Sequence, residues 1–250
     1  MNDWKKIKQK LINFLELEVK NTGHEKVVLG LSGGLDSAVV AVLCKEVFKD
    51  SLLCILLPSQ FSSKASVDDA IELCEKFDIK YEIVSIEPML ISYINNMQND
   101  NLRIGNFSAR LRMSVLYDIS ARERSIVVGT SNKSELLLGY GTIYGDLACA
   151  INPIGNIYKS DLFDFAKFLG VTESIVNKAP SADFYEGQSD ESDLGYTYSR
   201  IDEFLKAFVD NNSSKDELLK LGFEEEMIEK IIKRVKINSF KRELPKIAQI

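Results

Sequence analysis

Apolar residues along the chain fall into two alternating patterns, one at helical spacing and one in short continuous runs. Residues 3 to 20 place Trp4, Ile7, Leu11, Phe14, Leu15 and Val19 on one stripe, the spacing of an amphipathic helix packed on a domain. Residues 26 to 30 form a β-branched apolar run ending in a Gly-rich corner, which predicts a buried strand handing over to a helix. The apolar stretch 38 to 48 continues that helix, and SLLCILL (51 to 57) is a second buried strand closed by Pro58. Ser66, followed by Val67, Asp68 and Asp69, caps a helix to Phe77, and 81 to 86 supply a third strand. A looser helical pattern covers 87 to 98. The polar, Gly-broken NDNLRIGN (99 to 106) predicts a loop, with Asn106 capping a helix to Arg124 and 125 to 128 forming a fourth strand.

Beyond that strand, residues 139 to 150 carry three glycines and few periodic positions, and predict a loop that orders on ligand binding. Ser160 caps an apolar helix to Leu169. The acidic stretch 180 to 195 reads as a mobile lid. Two or three helices follow to about Asn238, with a capping box from Ser214 to Glu217 and an apolar stripe of Ile228, Ile231, Ile232 and Val235. Strands alternating with helices predict an α/β fold: a doubly wound parallel sheet with helices on both faces and a helical C-terminal part, one domain over residues 1–250. In such sheets ligands bind beyond the carboxyl ends of the strands, at a switch point in strand order. Gly-containing corners follow both the first and the fourth strand.

Composition narrows the function. The 250 residues are 45% hydrophobic, enough for a full core. A net charge of −6 lacks the basic footprint of a nucleic-acid binder. Cys44, Cys54, Cys74 and Cys149 form no CxxC pair and read as reduced core thiols. His24, the single histidine, stands in a polar turn, so a Ser-His-Asp site is not indicated. Neither a signal-type leader nor a run of eighteen apolar residues occurs, which predicts a cytoplasmic protein without a membrane segment.

The chemistry concentrates in the first corner, Gly30-Leu31-Ser32-Gly33-Gly34-Leu35-Asp36-Ser37. A helix N-terminus offers unpaired N–H groups and partial positive charge, and Gly33 and Gly34 carry no Cβ to hold a phosphate away. Asp36 would repel that anion unless a cation stands between them, which is how Mg²⁺ is usually held. The second corner, Gly129-Thr130-Ser131-Asn132-Lys133-Ser134-Glu135, adds hydroxyl and amide donors and a first-turn carboxylate. The first loop lacks the Lys of GxxxxGK[ST] and is not GxGxxG.

SGGLDS resembles the SGGxDS signature of the PP-loop ATP pyrophosphatases, which cleave ATP between the α and β phosphates and adenylate a carboxyl or carbonyl oxygen. With GNFSARLRM, VVGTSNKSELLLGYGTIYGD, NPIGNIYKSDLF, APSADF and SFKRELP in that order, the chain resembles the ammonia-dependent NAD⁺ synthetases from about residue 10 onward. The resemblance implies a Rossmann-like fold of the adenine nucleotide alpha hydrolase kind. It also implies a reaction in which the nicotinate carboxylate of deamido-NAD⁺ attacks the α-phosphorus of ATP, pyrophosphate leaves, and ammonia displaces AMP. On this basis Gly30 to Ser37, Thr130, Lys159 and Ser181 are ATP contacts, Asp36 and Glu135 are Mg²⁺ ligands, Asp36 and Lys159 are catalytic, and Arg110 and Lys241 touch deamido-NAD⁺.

The same residues have plainer readings. Glu135 is placed to complement a helix dipole, and Arg110 and Arg112, two apart on a helix, face different directions. Ile143, Ala150 and Phe240 replace the Lys, Asp and His that some relatives use on the dinucleotide. Another adenylating PP-loop enzyme, such as a tRNA thiolase, and a non-catalytic nucleotide-binding module stay open as alternatives. The resemblance further implies a homodimer, for which Phe107, Leu111, Val115 and Leu116 offer a packing stripe. The length leaves no room for a nitrilase-like amidase domain, so free ammonia is the expected nitrogen source.

Overall fold

In the computed structural model, which describes residues 2–94, 100–178 and 190–249, the apolar runs pair into one parallel sheet. Its strands are β1 (Val27–Gly30), β2 (Leu52–Leu56), β3 (Lys80–Ile83) and β4 (Ile126–Val127), in the order β3-β2-β1-β4. Val27 lies opposite Leu52 on one side and Ile126 on the other, and Leu53 opposite Lys80. Past β4, Val128 makes a parallel bridge to Ile151.

Successive strand residues point to opposite faces, and both faces are covered, as an all-parallel sheet requires. Val27 and Leu29 enter a core closed by α1 (Trp4–Asn21), α2 (Leu35–Phe48), α3 (Lys64–Lys76) and α7 (Lys159–Leu169). Val28, Ile55 and Val127 enter a second core beneath α5 (Asn101–Glu123), which α4 (Glu87–Ile94) contacts. Helix α2 is buried continuously from Ser37 to Cys44, which is why its sequence shows no polar face. A separate apolar cluster gathers α6 (Lys133–Leu138), α9 (Asp190–Leu194), α10 (Tyr198–Leu205), α11 (Lys215–Lys220) and α12 (Glu225–Ile237) around Tyr198, Phe204 and Ile228. The short α8 (Glu173–Val176) returns to the first core through Ile175 and Val176. All four thiols are free, and Cys44, Cys54 and Cys74 are buried. Among the described residues no helix is long and apolar enough to cross a membrane.

Three local expectations are corrected. Helix α3 is capped by Ser63, whose hydroxyl accepts the N–H of Ser66 at 3.0 Å; two serines three apart offered the same local signal, and the earlier one stands in the extended conformation a cap needs. Of the stretch expected as a loop, residues 101 to 106 are helical, since Asp100 caps α5 by accepting from the Arg103 N–H at 3.1 Å and Gly105 lies on the buried face with Ile104, Ser108 and Ala109. Asn106 is therefore an internal helix residue. Ser160 is likewise an internal helix residue, since α7 starts at Lys159 and Tyr158 holds its cap position. Leu111, Val115 and Leu116 are half-buried against their own chain's second core, and α4 and α5 also expose Ile91, Tyr93, Leu102 and Tyr117.

Candidate active site

Strand order turns back between β1 and β4, and the segments leaving their carboxyl ends part around a cavity of about 610 Å³. One wall is the loop from Gly30 to Ser37. Gly33 has φ +77°, and a Cβ there would sit 1.9 Å from the backbone oxygen of Ser66, so the loop lies directly against the first turn of α3. Ser32 and Ser37 brace it from within: the Ser37 hydroxyl accepts the Ser32 N–H at 3.2 Å and donates to the Gly34 carbonyl at 3.1 Å. Gly34 caps α2 without a side chain, leaving the helix's first amides no local acceptor. Lys178 donates to the Gly33 carbonyl and the Ser66 hydroxyl, each at 3.3 Å, and pairs with Asp69.

The opposite wall begins with Thr130 and Ser131 and runs into α6. Asn132 and Glu135 form a capping box: Asn132 Oδ1 accepts the Glu135 N–H at 2.9 Å, and Glu135 Oε2 accepts the Asn132 N–H at 3.2 Å. Asn132 also donates from Nδ2 to Asp36 Oδ1 at 2.8 Å, so one side chain ties the two corners together. Lys159, at the start of α7, reaches between them. Its ammonium pairs with Asp36 Oδ2 and lies 3.8 Å from Glu135 Oε1, and the residue is only 4% exposed. Burial works against the Lys159 charge, yet the Asp36 and Glu135 carboxylates outweigh it and hold the ammonium above its ordinary range. Burial, reinforced by the Asp36 charge, pushes the Glu135 carboxyl well up, with Lys159 opposing.

The donor set can be weighed against Mg²⁺. Among the described residues no three acidic, histidine or cysteine groups converge on one metal position. Two carboxylates do face one cation, Lys159, and Mg²⁺ characteristically takes one or two carboxylates plus phosphate oxygens and water. The residues therefore fit a metal arriving with a nucleotide, with Glu135 Oε1 available because its other oxygen serves the helix cap.

Gly30 to Ser37, Thr130, Glu135, Lys159 and Lys241 all line the cavity. Lys241 donates to the carbonyls of Gly139 and Gly141 at 2.8 and 2.9 Å. Arg110 is exposed and lies outside the cavity, which takes Arg112 instead, bonded to the Leu57 carbonyl at 3.0 Å and the Ser62 hydroxyl at 3.3 Å. Ser181, the APSADF segment containing it and most of the expected lid fall outside the described residues. The other expected mobile loop, 139 to 150, is tied down: Thr142 donates its backbone N–H to Asp146 Oδ1 at 2.9 Å and its hydroxyl to Asn106 Oδ1 at 2.7 Å, and Gly145 packs on Ala109. Donors of the C-terminal segment also cap the carbonyl end of α6, Arg234 and Asn238 on Leu138 and Arg242 on Leu136 and Leu137.

The NAD synthase family profile matches residues 7–245. The chain belongs to the NAD synthase family. It is 50% identical over 249 residues to an NH₃-dependent NAD⁺ synthetase of Campylobacter jejuni subsp. jejuni serotype O:6, covering 99% of this chain and all of that one. A solved NH₃-dependent NAD synthetase of Campylobacter jejuni superposes with a TM-score of 0.85 at 44% identity, over 99% of this chain and 100% of the other. An NMN synthetase from Francisella tularensis gives a TM-score of 0.89 at 34% identity over the whole of both chains. As an NAD synthase the chain has the Rossmann-like parallel sheet expected of it. Of the residues around the site, Arg112 was weighed only as the alternative to Arg110, and Asn132 only as a donor of the second corner, although the Asn-x-x-Glu spacing of a capping box was legible. Lys178 carried no signal because its role arises from contacts distant in sequence.

Proposed function

We infer that this NAD synthase joins ammonia to deamido-NAD⁺ at the expense of ATP, giving NAD⁺, AMP and pyrophosphate in the last step of NAD⁺ biosynthesis. The observation that carries the reading is the meeting of Asp36, Glu135 and Lys159 at the sheet's switch point, beside a glycine loop and an open helix N-terminus. A carboxylate oxygen bonds to the α-phosphorus as the bond to pyrophosphate breaks. Ammonia then attacks the acyl carbon, AMP leaves with the bonding pair, and the nitrogen loses a proton. Both partners of the first step are anions, so positive charge at the phosphates is the main requirement.

The loop from Gly30 to Ser37 and the amides of α2 would cradle the phosphates, with Thr130 and Ser181 adding hydroxyl donors. Asp36 and Glu135 would hold Mg²⁺, which supplies charge neutralisation when bound. Lys159, its ammonium kept protonated by those carboxylates, serves as a fixed cation at the same place. Lys241 lines the dinucleotide side. Arg110 is exposed on its own chain, and its use on deamido-NAD⁺ goes with a homodimer formed through the apolar α4 and α5 face. The absence of a membrane-crossing helix among the described residues fits a cytoplasmic enzyme.

The test is product analysis with ATP, Mg²⁺, ammonium and deamido-NAD⁺. Equimolar NAD⁺, AMP and pyrophosphate are expected, with glutamine a poor replacement for ammonium. Because a neighbour named for NMN superposes as well as the NAD⁺ synthetase does, nicotinate mononucleotide is run as a competing acceptor. Its amidation in preference to deamido-NAD⁺ would reassign the substrate. Light scattering that found an active monomer would remove the dimer.

A further inference from the structure

Asp202 lies on α10 at 1% exposure, a charged side chain among apolar neighbours to which the reaction gives no part. A carboxylate in such a place needs its oxygens paired, and both are. Oδ1 accepts from the Ser134 hydroxyl at 2.5 Å and Oδ2 from the backbone N–H of Ser160 at 2.8 Å. The Ser134 oxygen in turn accepts the backbone N–H of Lys159 at 2.9 Å. Ser134 precedes Glu135 in the first turn of α6, and Ser160 follows Lys159 in the first turn of α7. One buried carboxylate therefore ties together the two helix starts that carry two of the three charged groups of the site.

Local sequence explains why the tie is needed. The residue before α7 is Tyr158, which makes no side-chain cap; its hydroxyl is turned away to Asp210 at 2.9 Å. The first amides of α7 therefore take acceptors from other elements, Ser134 from α6 and Asp202 from α10. Negative charge at that helix end is favourable in itself. Helix α6 differs, since it carries its own capping box. Of the two helices, α7 is the one whose start depends on α10.

We propose that Asp202 is a positioning residue: through Ser134 and the first turn of α7 it holds the Lys159 ammonium in register with Asp36 and Glu135, and so governs turnover rather than ATP affinity. The inference rests on the role given to Lys159 above. Asp202 touches no reacting group, and its effect passes through backbone placement. A displacement of about 1 Å in such a group costs on the order of 100-fold in rate.

The experiment measures steady-state AMP release by the full chain with ATP, deamido-NAD⁺, ammonium and Mg²⁺, together with thermal midpoints. Wild type is compared with Asp202→Asn, Lys159→Gln, the double variant, and Ile201→Ala, which opens the same buried helix without touching the tie. Asp202→Asn is expected to lower kcat about 10-fold or more with KM for ATP within about threefold, and to cost less than about threefold when added to Lys159→Gln. Equal losses in both backgrounds overturn the inference. If Lys159→Gln is too slow to measure, Ile201→Ala decides, because a kcat for Asp202→Asn no lower than that of Ile201→Ala at the same loss of midpoint also overturns it. A full rate in Lys159→Gln removes the lysine's role and the inference with it, while a wild type that forms neither AMP nor NAD⁺ overturns the reaction itself.

Discussion

Replacing Gly33 with alanine separates two costs that usually arrive together. The first is conformational: at φ +77° an L side chain is strained by about 1–2 kcal/mol. The second is contact. The new Cβ would stand 1.9 Å from the Ser66 carbonyl oxygen, which belongs to a backbone and cannot rotate aside. Restoring ordinary separation moves the loop and the α3 start apart by roughly 1.5 Å, a forced expansion that costs about 1–3 kcal/mol. It also pulls apart the two groups that Lys178 bridges. Gly23 and Gly170 provide the reference, with φ +77° and +78° and no atom within 4 Å of a built Cβ. In a domain of this size each kcal/mol shifts the thermal midpoint by about 2–4 °C, so Gly23→Ala should lose roughly 2–8 °C and Gly33→Ala roughly 4–20 °C. Turnover should separate them further: the loop proposed to cradle phosphate, displaced by about 1 Å, loses on the order of 100-fold, and Gly23→Ala stays near wild type. The assay is AMP release beside a thermal melt. Equal midpoints for Gly33→Ala and Gly23→Ala, with rates within a few fold, would show that the Ser66 carbonyl yields freely.

Asp36→Asn should nearly abolish turnover with much less effect on dinucleotide binding, because it removes a carboxylate shared by Lys159 and Asn132 at the phosphate end; a near-normal rate with unchanged Mg²⁺ dependence refutes it. Lys178→Ala should raise KM for ATP about 10-fold while leaving the melt within a few degrees, since its ion pair with Asp69 is partly exposed; an unchanged KM would mean that the loop holds its shape alone. Burial holds the Asp202 carboxyl above its ordinary range. Between the unfolded value of about 3.9 and the folded one, the native chain binds the extra proton and this group's contribution to stability falls as pH rises. Subtracting the melt series of Asp202→Asn from that of wild type across pH 4 to 7 should leave that downward slope, and a flat difference would contradict it.

The alternation of strands and helices was legible because each face of a parallel sheet must be buried, which leaves apolar runs such as 51 to 57 with little choice of structure. The two corners were legible as strand-to-helix turns, marked by glycine and small polar residues, and both line the cavity. Boundaries were less so. Ser63 and Ser66 offer the same local chemistry to α3, and only the surrounding chain decides between them. Arg110 and Arg112 illustrate the limit more sharply, since their choice depends on the rotation of α5 about its axis, set by Ile104, Ala109 and Ile119 packing inward. The resemblance favoured Arg110, while the cavity of the single chain takes Arg112. Asp202 could not be read at all. An Asp in an amphipathic helix ordinarily faces solvent, and its partners stand 42 and 68 residues away.

The caps on the far end of α6 bear on how the protein is made. This helix has six residues, too few to persist alone, and the donors that close its carbonyl end come from about 100 positions later in the chain. A ribosome emits the chain from the N-terminus, so the sheet and its glycine loop can assemble while Arg234, Asn238, Lys241 and Arg242 are still unmade. Until those residues emerge, the helix that presents Glu135 keeps only its backbone closure at Gly139 and Tyr140, and the loop beyond it lacks the Lys241 bonds. A nascent chain stalled short of residue 234 would thus hold a folded sheet whose second corner lacks these ties, and synthesis of residues 234 to 242 supplies them.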